Sequence, residues 1–168
     1  MSPIQTNRYI AASADTIAYL RGATSGALYH NALSPTVCEQ VLTAFKIIMG
    51  EDGTNLGATK LKALRENSNY FRSEMKRIGL HVYGDMDSPI IPVMLYFPAK
   101  IAAFSRECLK RGLAVVVVGF PATSVILSRA RFCISAAHTR DDLEDAVRKI
   151  DEVAQLLCLK YQNSALGI

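Results

Sequence analysis

Two arginines set two residues apart, in Ser128-Arg-Ala-Arg-Phe-Cys-Ile-Ser-Ala-Ala-His138, are the side chains of this sequence best suited to hold an anion. In a strand, residues i and i+2 share a face. Arg129 and Arg131 therefore project to one side, Phe132 and Ile134 to the other. A guanidinium fixed on a rigid strand grips a carboxylate or phosphate through two parallel N–H donors. Just upstream, Gly112-Leu-Ala-Val-Val-Val-Val-Gly-Phe-Pro-Ala-Thr123 runs a buried β stretch into a Gly/Pro loop. On periodicity alone the plainer reading, a solvated pair of edge-strand arginines, is the stronger.

Few other residues offer chemistry. His30, His81 and His138 are scattered without ligand spacing and read as structural, His138 tidying the corner before Thr139. Asp85 and Asp87 sit on a Gly/Pro turn, where carboxylates accept local N–H bonds. No GxSxG, GxGxxG or P-loop pattern is present. Cys38, Cys108, Cys133 and Cys158 form no CxxC pair, which fits a reducing compartment and four small buried hydrophobes.

The elements that position these residues come from a chain of 168 residues, half of them hydrophobic, enough for one ordinary domain and a core. The net charge of +4 is spread along helices and does not argue for nucleic acid. The longest apolar run, Leu113 to Val118, is too short to span a bilayer, and the first eight residues lack a leader core.

Periodicity and punctuation predict a short strand over Tyr9–Ala12 and a helix over Asp15–Arg21 closed by Gly22. A helix from Ser34-Pro35 to Met49 carries Val37, Val41, Leu42, Phe45 and Ile48 on one face. A long amphipathic helix covers Ala58–Ile78, with Leu61, Leu64, Ser68, Phe71, Met75 and Ile78 on its stripe. Strands follow at Leu80–Tyr83 and Ile90–Phe97, Pro92 marking an edge or a bulge. Then come a helix over Lys100–Arg111, strands at Ala114–Val118 and Arg131–Ser135, and a last helix capped by Thr139 with Leu143, Val147, Ile150, Val153 and Leu157 inward. The tail after Tyr161 reads as frayed. The order α-β-β-α-β-β-α from Ala58 gives an α+β layer, a mixed or antiparallel sheet covered by helices.

Asp87-Ser-Pro-Ile-Ile-Pro-Val-Met-Leu-Tyr96, Pro98 to Glu107, Val115 to Thr123 and Ser128 to Thr139 together resemble the C-terminal part of serine palmitoyltransferase, in its catalytic, long-chain-base 2-type subunit. Tyr29 to Gly53 fits the same family, so the resemblance runs from about Tyr9 to Tyr161. It implies an α/β, fold-type I enzyme of the α-oxoamine synthase group, in which pyridoxal 5′-phosphate joins L-serine to palmitoyl-CoA with loss of carbon dioxide to give 3-ketosphinganine. By resemblance, Arg131 holds the amino acid's carboxylate, Arg129 supports it, and the mobile loop with Pro121, Ala122 and Thr123 closes over the substrate. Asn31 and Ser34 fall where the family reaches the cofactor phosphate.

The sequence departs from that pattern at several points. The family's Schiff-base lysine lies eight residues before the tyrosine matched by Tyr9, which an ungapped count places at Met1. Ala32 replaces a hydroxyl residue, and Ser124 replaces a proline after Pro-Ala-Thr. The resemblance therefore implies residues 1–57 as a remnant of the large cofactor domain, 58–161 as the small α+β domain and 162–168 as a tail, in a chain that lacks the covalent lysine. Further expectations are a non-catalytic sister subunit docking near Asn31–Ser34 and a place on the cytosolic face of the endoplasmic reticulum membrane, reached through a partner or a segment outside this sequence. A 5-aminolevulinate or 2-amino-3-ketobutyrate type synthase, and a non-catalytic interaction module, are the alternatives.

Overall fold

A computed structural model describes residues 10–29 and 34–161 of the chain. These fall into two units, divided between Phe45 and Lys46.

In the first unit, Ser13 starts helix α1 (Ala14–Ala23), its Oγ accepting the Thr16 N–H at 3.4 Å. Gly22 lies inside the helix rather than ending it. The chain turns only at Thr24, whose N–H and hydroxyl both donate to the Leu20 carbonyl. A short helix α2 (Ser25–Tyr29), not foreseen in the sequence, follows. Ile10 to Ala12 form no strand, and Tyr9 lies outside the described residues. Helix α3 (Pro35–Met49) begins at its proline as expected and stops at Gly50, whose φ of +76° suits glycine. No residue of α3 is buried. Its expected stripe is amphipathic in sequence, yet Leu42 and Ile48 are about half exposed.

The second unit carries the sheet. Helix α4 (Leu56–Arg77) begins two residues earlier than its stripe suggests. A Cβ on Gly57 would sit 2.2 Å from the Ile47 carbonyl oxygen, so only glycine lets the two backbones approach there. Strand β1 (Ile90–Tyr96), helix α5 (Pro98–Lys110), strand β2 (Val116–Val118), a 3-10 turn (Val125–Leu127), strand β3 (Ser128–Cys133) and helix α6 (Arg140–Leu156) follow. The sheet order is β1-β3-β2, wholly antiparallel. Helix α6 packs on α4 and α5, and α4 and α5 pack on the sheet.

The core between them holds Phe71, Met75, Leu80, Ile91, Val93, Leu95, Phe104, Ala130, Phe132 and Ile150. Phe132 meets Phe71 at 5.4 Å and Phe104 edge-on at 6.4 Å between ring centroids. Each fully buried aliphatic or aromatic side chain of this kind contributes about 1.5–3 kcal/mol. The stripe of α6 is inward as expected, Leu143, Val147, Ile150 and Val153 buried and Leu157 partly so. Thr139 and Asp142 close its start in a capping box.

Three strand expectations shift. Leu80–Tyr83 makes one bridge, Val82 to Val93, because Pro92 has no N–H to extend the ladder and the Tyr83 carbonyl is taken by Arg72. The Pro92 carbonyl accepts from the Tyr83 N–H, so proline's missing donor falls on the outer side of β1, away from β3. That is the edge position foreseen for it. Strand β3 runs Ser128–Cys133, not Arg131–Ser135, because past Cys133 the backbone turns to other partners: Ser135 N–H donates to His138 Nδ1, and Asn67 Nδ2 to the Ser135 and His138 carbonyls. Strand β2 begins at Val116 instead of Ala114.

The cysteines also divide. Cys108 is buried as expected, and burial pushes its thiol up to about 11. Cys133 and Cys158 are exposed: Cys133 sits on the outer face of β3, and Cys158 lies past the end of α6 with φ +51°.

Candidate functional site

Strand β3 alternates cleanly. Ser128, Ala130 and Phe132 are buried, while Arg129, Arg131 and Cys133 face outward. Arg131 stands opposite Pro92 of β1 and Val116 of β2, Arg129 opposite Met94 and Val118. Directly paired residues share a face of an antiparallel sheet. The two cations therefore rise from a floor of proline, methionine and valine.

Arg131 is exposed, and among the described residues its guanidinium makes no hydrogen bond or ion pair. Arg129 is half-buried, and its Nε is buried without a partner among the described residues. An unneutralised guanidinium, held on its strand by neighbours on both sides, is chemically a receptor for an anion.

Beside Arg131, the Gly112–Val116 segment splays from the end of β3 and opens a cleft of about 420 Å³ against α6, lined by Leu113, Val115, Phe132, Ile134 and Ala146. His138 and the Asp145–Lys149 pair, 2.6 Å apart, stand at this cleft.

The loop after β2 leaves the sheet at Gly119, where a Cβ would meet Ile101 Cδ1 at 2.7 Å. The Phe120–Pro121 peptide is cis. Pro121 and Ala122 are exposed. Thr123 N–H donates to the Gly119 carbonyl at 3.2 Å, and the Thr123 hydroxyl is buried without a partner among the described residues. Ser128 Oγ donates to the Val125 carbonyl and anchors the return into β3. Loop and cations thus belong to one unit, joined through β3. Asn31 lies outside the described residues. Ser34 Oγ shares a hydrogen bond with Thr36 Oγ1 at 3.1 Å at the start of α3.

His81 and His138 make structural contacts, His30 lies outside the described residues, and Asp87 is held by side chains of α4 rather than by the local N–H groups expected of its turn. His138 orders the corner before Thr139, and His81 Nδ1 pairs with the Tyr96 hydroxyl. Asp87 accepts from Asn69 Nδ2 at 2.7 Å and Arg65 Nε at 2.8 Å, and these donors, Asn69 first, hold its carboxyl below the usual carboxylate range. Arg65, Asn69 and Arg72 lie off the apolar stripe of α4 and are not among the candidate residues of the sequence. Their spacing, i, i+4 and i+7, is the signal that finds them: one polar stripe along α4, facing the Gly84–Pro89 turn.

Residues 9–150 match the aminotransferase class I and II family, and the chain belongs to it. It is 54% identical over 153 residues to long chain base biosynthesis protein 2a of Oryza sativa subsp. japonica, covering 91% of this chain and 31% of the relative. It is 50% identical over 153 residues to serine palmitoyltransferase 2 of Dictyostelium discoideum, with the same coverage. To serine palmitoyltransferase 3 of Homo sapiens it is 44% identical, over 91% of this chain and 28% of the relative. The chain thus spans about a third of the length of these relatives.

Among solved structures, Sphingomonas wittichii serine palmitoyltransferase superimposes with a TM-score of 0.70 at 21% identity, over 85% of this chain and 35% of that one. Francisella tularensis 8-amino-7-oxononanoate synthase gives 0.61 at 18%, over 86% and 40%. A small antiparallel sheet with helices packed against it is the C-terminal part of that pyridoxal-phosphate-dependent fold.

Proposed function

We propose that this chain is the substrate-binding third of a serine palmitoyltransferase, with Arg131 gripping the carboxylate of L-serine and Arg129 supporting it. The observation that carries this reading is the outward, unneutralised Arg131 guanidinium on β3, in a chain 50% identical to serine palmitoyltransferase 2 of Dictyostelium discoideum. Pro121, Ala122 and Thr123, on the loop that returns into β3, are the segment assigned to cover the bound amino acid.

In this reading the first substrate is L-serine and the second palmitoyl-CoA. Pyridoxal phosphate, when bound, supplies the electron sink for the condensation. The residues of the sheet face suit an anionic group, here assigned as the substrate's carboxylate. They offer fork-shaped cations on an apolar floor, and the first lysine of the sequence is Lys46. Asn31 and Ser34 are assigned to the coenzyme phosphate on the resemblance. On the same ground residues 1–57 belong to the large coenzyme domain and 58–161 to the small one, with a non-catalytic sister subunit as partner, docking near Asn31–Ser34, at the cytosolic face of the endoplasmic reticulum membrane. No described helix is long and apolar enough to cross a membrane.

The test is a chimera in which residues 9–161 replace the matching stretch of the rice relative. Serine-dependent release of carbon dioxide with palmitoyl-CoA is the expected result. A folded chimera that loads pyridoxal phosphate and prefers glycine points to the aminolevulinate or aminoketobutyrate chemistry. One that loads it and condenses nothing overturns the assignment in favour of an interaction module.

A further inference from the structure

Arg72 is the largest of the fully buried side chains, 1% exposed, and a cation in that position is costly. Among the described residues no carboxylate pairs with it. Its charge is instead spent on four backbone carbonyls. Nη1 donates to Tyr83 at 2.7 Å and Gly84 at 3.1 Å, where the chain enters a turn; Nη2 donates to Ser88 and Ile90 at 3.3 Å, where it leaves. Its Nε has no partner among the described residues. A hydrophobe of similar volume would leave those four carbonyls without their donor, so the cation's use lies in what it holds in place.

What it holds leads to Arg131. The exit of the turn is the start of β1: the Pro89 carbonyl accepts from Ile134 N–H, Ile90 stands opposite Cys133, and Pro92 opposite Arg131. The entry returns to the same place, since Tyr83 N–H donates to the Pro92 carbonyl. One residue of α4 therefore fixes both flanks of the strand that sits against the arginine of the candidate site. Side-chain direction in a sheet depends wholly on register, and a slip by one residue reverses it.

We propose that Arg72 is a positioning residue for Arg131: by tying both ends of the Gly84–Pro89 turn to α4, it sets β1 against β3 and so the place and direction of the Arg131 guanidinium. The consequence for substrate binding rests on the function proposed above.

Two measurements test it. In the chain as it stands, Arg72→Met is compared with the parent by amide hydrogen exchange. Exchange is expected to quicken selectively at Tyr83 and Ile134, with α6 amides unchanged. Uniform quickening reports a merely structural residue and overturns the proposal. In the chimera, Arg72→Met is expected to lower kcat/KM for serine on the order of 100-fold, as misplacement by about 1 Å does. The KM for palmitoyl-CoA stays as it was, and Arg72→Lys, with one compact donor head for two forks, restores only part. Combined with Arg131→Ala, Arg72→Met is expected to add nothing further, because both act through one group. Additive losses sink the positioning role alone. An Arg131→Ala variant that binds serine normally sinks the functional reading instead.

Discussion

Asn69 and Asp87 bond reciprocally: Asn69 Nδ2 donates to the Asp87 carboxylate at 2.7 Å, and Asp87 N–H donates to Asn69 Oδ1 at 2.9 Å. The pair holds Asp87 at φ +66°, a left-handed conformation unusual outside glycine, and pins the tip of the turn whose base Arg72 holds. Asn69→Ala should cost about 1 kcal/mol in denaturant unfolding, the usual net worth of such a bond.

The same contact sets an acid limb. The carboxyl of Asp87 is held below its ordinary value of 3.8, first by Asn69 and then by Arg65. A lowered carboxylate stabilises the fold above its ordinary value and loses that contribution as pH falls through the lowered one. Stability measured from pH 5 down to pH 2 should therefore fall less steeply in Asp87→Asn than in the parent. Parallel curves would show that Asp87 takes no part in the acid transition.

At the other end of the scale, the Cys108 thiol is pushed up to about 11 by burial, against an ordinary 9.0. Its contribution to stability is whole below 9.0 and is lost as pH rises toward 11. Cys108→Ala should flatten that alkaline decline. In native protein a thiol-modifying reagent should label Cys133 and Cys158 within minutes and reach Cys108 only on unfolding, which peptide mass mapping reads directly.

Phe104 is fully buried and meets Phe132 edge-on, joining α5 to the strand that carries both site arginines. Phe104→Ala should destabilise the chain by about 3–5 kcal/mol, and Phe104→Leu by clearly less. Thr139→Ala, which removes one half of the α6 capping box, should cost about 1 kcal/mol. Both are read from urea midpoints at unchanged slope.

In the chimera, Arg131→Ala should weaken serine binding by about 2–5 kcal/mol if the carboxylate is gripped out of water. Arg131→Lys should restore part of it, since the ammonium keeps the charge and loses the fork. Unchanged serine affinity in the alanine variant would refute the grip.

What the sequence announced plainly were the elements with local signals. The stripe of α6 and the cap at Thr139, the start of α3 at Pro35 and the edge proline in β1 are each written within a few residues. So was the shared face of Arg129 and Arg131, which follows from strand geometry alone. What it concealed depends on partners distant in the chain. The expected strand at Leu80–Tyr83 dissolves because Arg72, eleven residues before Tyr83, takes a carbonyl the ladder would have used. Strand β3 ends early because Asn67 captures carbonyls 68 and 71 residues away. Cys133 departs from the buried expectation because alternation with Phe132 turns it outward. The polar stripe Arg65–Asn69–Arg72 was visible as spacing, but nothing local said that its partner was a turn rather than water.

The sheet has two unlike borders. On one, Pro92 offers no amide hydrogen and the His81–Tyr83 segment lies alongside, so another chain finds little to grasp. The other border is β2, three valines without a lysine or proline, Val116 being 52% exposed. Among the described residues no strand pairs with the outer side of β2, and an edge of that kind invites a stranger's backbone. In concentrated solution, self-association of this chain would start from that valine edge, and a single lysine at Val116 would be the simplest means of discouraging it.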